Sequence, residues 1–266
     1  SIISADAQEH YAELLNVQAS VGNGAVLVAS ERTIYSVDLA TGKATAITIV
    51  PATVGGLTLS DTINSLAVDQ ANGLIYYTDS NSASTNKALF AYDFINNTHF
   101  AIDTDLTDNG AGLSITVGAR GVGSGAAAFY NGSLYLGVEQ GNTANDTQIW
   151  RLTFSANGRT LAGAATFGSV ITGNDWGDFA VDAANGNLLS ITTTGITRYS
   201  LATGQVVGTA FTNPGGPQGA NDAAGNSYVV GTLTSGGTPI IQRFNATTGA
   251  TVGSALTITT NGTTAL

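Results

Sequence analysis

The stretch that decides the fold runs Leu66-Ala-Val-Asp69-Gln-Ala-Asn72-Gly73-Leu-Ile-Tyr-Tyr77 and, after a polar loop, Leu89-Phe-Ala-Tyr92-Asp93-Phe-Ile-Asn-Asn97. Its apolar runs are short and never hold helical spacing for long, which points to strands. Asn72-Gly73 between two such runs is a hairpin signal, because both residue types tolerate the positive φ that a tight turn requires. The stretch therefore reads strand, hairpin, strand, loop, strand, turn.

Working outward, the same plan returns along the chain. The strand-and-turn half recurs as Ile34-Tyr-Ser-Val37-Asp38-Leu-Ala-Thr-Gly42, Ile149-Trp-Arg-Leu152-Thr153-Phe-Ser-Ala-Asn157-Gly158, Ile196-Thr-Arg-Tyr199-Ser200-Leu-Ala-Thr-Gly204 and Ile241-Gln-Arg-Phe244-Asn245-Ala-Thr-Thr-Gly249. The hairpin half recurs around Asn131-Gly132, Asn185-Gly186, Gly225 and Asn23-Gly24. Turn residues at 42, 97, 158, 204 and 249 are spaced by 55, 61, 46 and 45. Further strands such as Lys43–Ile49, 205–211 and 251–258 complete each copy, giving four antiparallel strands, A to D. Four-stranded sheets at that period are the blades of a β-propeller, which bury both faces by stacking radially.

The expectation is one all-β domain over 1–266, with five blades near 10–50, 62–104, 121–168, 176–212 and 217–259. Residues 11–20 would supply the inner strand of the first blade. Six blades result instead if 1–20 and 259–266 pair with each other, and a β-sandwich is the alternative fold. One helical turn is expected near 7–15. Tyr35, Phe90, Trp150, Tyr199 and Phe244 are expected between the blades, since strand aromatics bury the most area. The hairpin followed by Ile-x-x-Tyr/Val-Asp/Ser-Leu-Ala-Thr-Gly resembles the blades of bacterial surface and secreted propellers of the broad NHL-like and YVTN-like kind. That resemblance covers roughly residues 10–260 and implies an architecture, not an activity.

Composition removes several function classes. The 266 residues contain no cysteine, so disulfides, zinc-thiolate sites and cysteine nucleophiles are excluded. Eight basic against eighteen acidic residues give a net charge of -10, which repels nucleic acid and anionic lipid. No apolar stretch approaches the roughly 20 residues of a membrane-spanning helix. The N-terminal 20 residues lack the order of a signal peptide, and the absence of methionine suggests a processed chain. Low charge with abundant Gly, Thr, Ala and Asn points to an extracellular or cell-surface bacterial protein.

Catalytic patterns are sparse. The two histidines, His10 and His99, have no G-x-S-x-G elbow to serve, and read as surface or interblade residues. Gly123-Ser-Gly125-Ala-Ala-Ala128 matches G-x-G-x-x-A but leads into a hairpin rather than a helix, so it marks crowding near the axis. Asp178 lies early on an inner strand, whereas its counterparts are Ser65, Gly125 and Gly219. A glycosidase needs two carboxylates across the bond it cleaves, and no ring of acids is present. Asp69 and Asp182 sit where aspartate braces a hairpin. Asn-x-Ser/Thr tripeptides at Asn96, Asn131, Asn145, Asn245 and Asn261 follow from composition.

Loops supply the better candidates. A–B and C–D turns share one face and are short; B–C loops and D–A connections share the other and vary in length. Binding residues gather on variable loops over a rigid scaffold. The candidate ligand or partner face comprises Asp79, Asn81, Arg120, Glu139, Asp146, Asp175, Trp176 and Asp178, with the tryptophan suited to a sugar ring or a protein anchor. Asp103, Asp105, Asp108 and Asn109 form a candidate calcium loop, although its spacing differs from an EF-hand. The function expected is non-catalytic binding of a protein or glycan, with no other cofactor. The alternatives are a self-assembling subunit of an extracellular layer, sheath, filament or adhesin, and a glycan-active enzyme.

Overall fold

The structure is a computed structural model and describes residues 24–123, 125–140, 146–173, 177–231, 239–260 and 264–265. The expected helical turn near 7–15 and the expected inner strand at 11–20 lie outside them. The described residues form strands and turns with no helix. Five small sheets stand in a ring, a five-bladed β-propeller, and the inner strands of neighbouring blades lie side by side around the axis.

Blade 1 contains Ala25–Ser30, Thr33–Asp38 and Lys43–Ile49. Blade 2 contains Ile63–Asp69, Leu74–Asp79, Leu89–Asp93 and Thr98–Asp103. Blade 3 contains Ala127–Tyr130, Ser133–Glu139, Asp146–Phe154 and Leu161–Thr172. Blade 4 contains Gly177–Asp182, Asn187–Thr192 and Ile196–Ser200; blade 5 contains Gln218–Asn221, Ser227–Gly231, Ile240–Phe244 and Leu256–Thr257. Every pairing within these blades is antiparallel.

Two expected outer strands are shorter than anticipated. Residues 205–211 pair with blade 4 as isolated bridges, Tyr199↔Val206 and Ile196↔Phe211, rather than as a continuous strand, and 251–258 pairs with blade 5 at Thr251 and again at Leu256–Thr257. Left-handed glycines at Gly208 and Gly253, four residues after the turn glycine in each blade, interrupt the ladder. The C-terminal strand Thr259–Thr260 runs parallel to Lys43–Ile49 on the outside of blade 1, so this end of the chain joins an existing sheet rather than a sixth one.

The repeat spacing read from the sequence has a backbone cause. Gly42, Asn97, Gly158, Gly204 and Gly249 all adopt positive φ, between 52° and 77°, at the C–D turn. That conformation is costly for most side chains, so glycine or asparagine is placed at each copy of the turn. The aspartates before the turns are spent on backbone geometry as expected: Asn72, Asn96 and Asn185 each donate a side-chain N–H to Asp69, Asp93 and Asp182 at 2.7–2.8 Å.

One buried apolar cluster fills each of the five seams between blades. Successive residues of a strand point to opposite faces, so Tyr76 enters the blade 2–blade 3 seam while Ile75 and Tyr77 enter the blade 1–blade 2 seam. This two-sided burial explains why Leu74–Asp79 is apolar without alternation. Phe90, Trp150, Tyr199 and Phe244 are buried as expected, but Tyr35, paired with Val28 and Ala46, is only half-buried beside the blade 5–blade 1 seam. His99 is an interblade residue, held by Thr48 Oγ1 and Tyr77 Oη at 2.9 Å each and stacked on Tyr92. Across the next seam Arg159 pairs with Asp93 at 2.8 Å and lies over the Phe100 ring. Burial pushes the Asp93 carboxyl up, yet hydrogen bonds from Asn96, Arg159 and Ile95 outweigh it and hold the group below its ordinary range.

Candidate functional site

The long connections of blades 2 and 3 occupy the face where the inner strands begin, and they are braced. Asp79, buried at the end of its strand, accepts hydrogen bonds from the Ser60 backbone N–H and hydroxyl and so fixes the preceding connection. That connection carries its own small hairpin, Thr53–Val54 against Leu57–Thr58. Asn86 donates its amide to the carbonyls of Asp79 and Asn81 at 2.7 Å, closing the loop between them. The Asn86 carbonyl in turn accepts the Val122 N–H at 2.9 Å, which joins this loop to the connection entering blade 3.

That connection is anchored from below. Leu106, Ile115 and Val122 are buried in the blade 2–blade 3 core, although in sequence they look like isolated apolar residues in a polar loop. Gly118 N–H donates to the Glu139 carbonyl, and Ala164 N–H to the Gly112 carbonyl. Arg120 forms an ion pair with the buried Glu139 at 3.2 Å. A Cβ at Gly121 would lie 2.1 Å from the Asn86 carbonyl oxygen, and its φ is +58°. Gly121→Ala is therefore expected to pull the two loops apart and cost about 2–3 kcal/mol by combined crowding and backbone strain, read from the urea unfolding midpoint.

The candidate face thus divides by role. Asp79 and Glu139 hold the loops, Arg120 is half-buried against Glu139, and Asp146 accepts the Gly173 N–H at 3.3 Å. Asn81 presents an exposed side chain at the rim, flanked by exposed Ser82, Ser84 and Thr85. Asp175 and Trp176 lie outside the described residues. Asp178 stands apart from the rim, in the axial channel.

The calcium candidates form a self-bonded turn. Asp103 accepts the Asp105 N–H at 2.8 Å and the Asn109 amide; Asp105 accepts the Thr107 N–H and hydroxyl and pairs with Lys87 at 3.6 Å. Hydrogen bonding from Thr107 holds the Asp105 carboxyl below its ordinary range. Asp108 is exposed. Among the described residues no three carboxylates or histidines gather as a metal would require.

The channel is a cavity of about 320 Å3 lined by inner-strand residues of blades 2 to 5 and by residues 25–29 of blade 1. Asp178 ties three blades together there: its carboxylate accepts the N–H groups of Ala127 at 3.3 Å, Phe179 at 2.8 Å and Gly219 at 3.1 Å. Burial raises its pKa to about 7, although all three of these hydrogen bonds pull the other way. Two more side chains, neither distinguished by sequence reasoning, do similar work. Asn221 pairs its amide with both the N–H and the carbonyl of Val181, mimicking a strand rung between blades 4 and 5, and Asn64 donates to the Gly123 carbonyl. Ser65, at φ +57° and buried, sits against Gly125. Nothing local in sequence marks these residues, because their partners lie about 40 to 60 positions away.

No family model matches the chain, and no curated protein does. Among solved structures it is similar to a luciferin-regenerating enzyme, with 11% identity and a TM-score of 0.45 over 79% of this chain and 67% of that one. It is also similar to a hemopexin-fold protein from cow pea, with 10% identity and a TM-score of 0.45 over 74% of this chain and 93% of that one. No helix among the described residues is long and apolar enough to cross a membrane.

Proposed function

We propose that this is a non-catalytic binding propeller of the secreted or cell-surface bacterial kind, which takes a protein or glycan on the rim of blades 2 and 3. The observation that supports this reading is the bracing of the long loops by Asp79, Asn86 and Val122 into one platform. A preorganised surface loses little conformational entropy on binding, so modest contacts suffice for affinity. The platform exposes amide and hydroxyl groups at Asn81, Ser82, Ser84 and Thr85, the chemistry that hydrogen-bonds to sugar hydroxyls or to a peptide backbone. The net charge of -10 disfavours anionic ligands.

The test is a glycan and peptide array probed with the labelled chain and with Asn81→Ala/Thr85→Ala. Both side chains are exposed, so the variant should keep its melting temperature and lose at least about tenfold in affinity for whatever the parent binds. Equal binding by parent and variant removes the rim from the reading. Asp178 favours the rival enzyme reading, since a carboxyl shifted to about 7 could donate a proton near neutrality. Its oxygens already accept three backbone N–H groups, which supports a structural role in the ring. Glycoside turnover that vanishes in Asp178→Asn with the fold intact would establish the enzyme.

A further inference from the structure

The Asn-Gly pairs that set the turns of this fold are also its most labile chemistry, because a glycine without Cβ leaves its own backbone nitrogen open to attack the asparagine side chain before it. Five such pairs lie wholly among the described residues: Asn72-Gly73, Asn109-Gly110, Asn131-Gly132, Asn157-Gly158 and Asn185-Gly186. In all but one the asparagine is held. Asn72 and Asn185 donate their amides to Asp69 and Asp182 at 2.7 Å, and Asn109 donates to Asp103. The Asn157 side-chain oxygen accepts the Ser155 hydroxyl at 2.8 Å and the Arg159 N–H at 3.1 Å. The attacking nitrogen is engaged as well at Gly73, Gly158 and Gly186, whose N–H groups donate to the carbonyls of Gln70, Ser155 and Ala183 at 3.4, 2.8 and 3.4 Å.

Asn131 differs on each count. Neither its side chain nor the Gly132 N–H makes a hydrogen bond among the described residues. Both residues are exposed, and a Cβ on Gly132 would meet nothing within 4 Å, so the pair stands open to water. It forms the tip of the blade 3 A–B hairpin, with Tyr130 opposite Ser133 and Asn131 in the left-handed region at φ +48°. Opening at a hairpin tip is local and leaves the core in place. We propose that Asn131 is the modification site among these pairs, deamidating in the folded chain with solvent water as the only co-reactant. The Gly132 backbone nitrogen bonds to Asn131 Cγ, the Cγ–Nδ2 bond breaks, and the displaced nitrogen leaves as ammonia with the proton that Gly132 gives up. The resulting succinimide ring takes up one water. Cleavage at Cγ yields aspartate, and cleavage at the main-chain carbonyl yields isoaspartate. Either product adds a carboxylate on the short-turn face, opposite the long loops. Aspartate suits the same turn, whereas isoaspartate lengthens the backbone by one carbon there and disturbs the register of Ala127–Tyr130 with Ser133–Glu139.

Tryptic cleavage after Lys43, Lys87, Arg120, Arg151, Arg159 and Arg198 leaves each of the five pairs on its own peptide. The full chain is incubated at mildly alkaline pH, folded and unfolded in guanidinium chloride, and conversion of amide to acid in each peptide is followed by mass spectrometry. A held asparagine must first break its hydrogen bond, so in the folded chain the Asn131 peptide should convert about tenfold or more faster than the others. In the unfolded chain all five pairs share the same glycine neighbour and should react within a few-fold of one another. Any held pair that keeps pace with Asn131 in the folded chain overturns the proposal. So does a lead for Asn131 that persists unchanged in guanidinium chloride, since flanking sequence and not the held side chains would then set the order. Circular dichroism through the incubation establishes that the folded sample stays folded.

Discussion

Replacing Tyr76 with alanine is expected to cost about 3–5 kcal/mol, the range for losing a large aromatic from a packed core. The ring is fully buried in the blade 2–blade 3 seam, stacked on Phe154 at 4.8 Å and tilted against Phe129 at 5.6 Å. Its hydroxyl donates to the Gly158 carbonyl at 2.7 Å, tying the inner half of one blade to the C–D turn of the next. Burial, with Asp69 adding to it, pushes the phenol well above its ordinary range, so it remains a donor at every working pH. Tyr76→Phe keeps the packing and loses only that hydrogen bond, so about 1–2 kcal/mol is expected. Equilibrium urea unfolding of the two variants separates the contributions. Equal losses would show that the hydrogen bond, not ring packing, holds the seam.

A second large effect is a hidden pH dependence in which two partly buried groups oppose each other. Desolvation lowers the His99 pKa from 6.5 to about 4. As pH falls, the unfolded chain therefore takes up this proton first, so the stability His99 confers is complete above 6.5 and is lost toward pH 4. Asp178 runs the other way. Its pKa rises from 3.8 to about 7, so the folded chain holds a proton that the unfolded chain has released, and its contribution is lost as pH rises from about 4 to 7. A tenfold difference in proton affinity between the folded and unfolded chain corresponds to about 1.4 kcal/mol, and water reaching both groups reduces the effect to about 2 kcal/mol over the window. The opposing contributions of these two groups should leave the wild type nearly flat between pH 4.5 and 6.5. His99→Gln should lose about 2 kcal/mol as pH rises through that window, and Asp178→Asn should gain about as much. Melting temperatures across pH for the three proteins check the signs; parallel curves would remove both shifts.

The same residues show how far the sequence carries. Asn-Gly and Thr-Gly turns are local devices: a residue at positive φ must tolerate it wherever the chain runs, so Gly42, Asn97, Gly158, Gly204 and Gly249 mark the five copies in sequence as they do in space. The all-β class, the propeller and the bracing aspartates were legible for that reason. Outer strands were less so. Residues 205–211 and 251–258 have strand-like composition, yet Gly208 and Gly253 turn left-handed inside them and the ladder shrinks to bridges and the two-residue strand Leu256–Thr257.

The candidate site was legible only as a face. Loop length along the chain identifies which connections are long, because strand direction alternates and the two sets of turns must lie at opposite ends. It does not say which carboxylates remain available there. Asp79 and Glu139 look like Asn81 in sequence, all polar and all in or beside loops, but the first two are consumed in holding the loops and only Asn81 is exposed. Those assignments depend on the Ser60 hydroxyl, Arg120 and Leu106, which reach their places through blade packing. The sequence by itself determined the repeat, the turns and hence the ring, since these rest on φ/ψ preferences and hydrophobic alternation carried by each short segment. Which side chains remain exposed and which face one another was decided by tertiary structure alone, because hydrogen bonds and desolvation between Asp178 and Gly219, or Asn64 and Gly123, exist only once distant blades stand side by side.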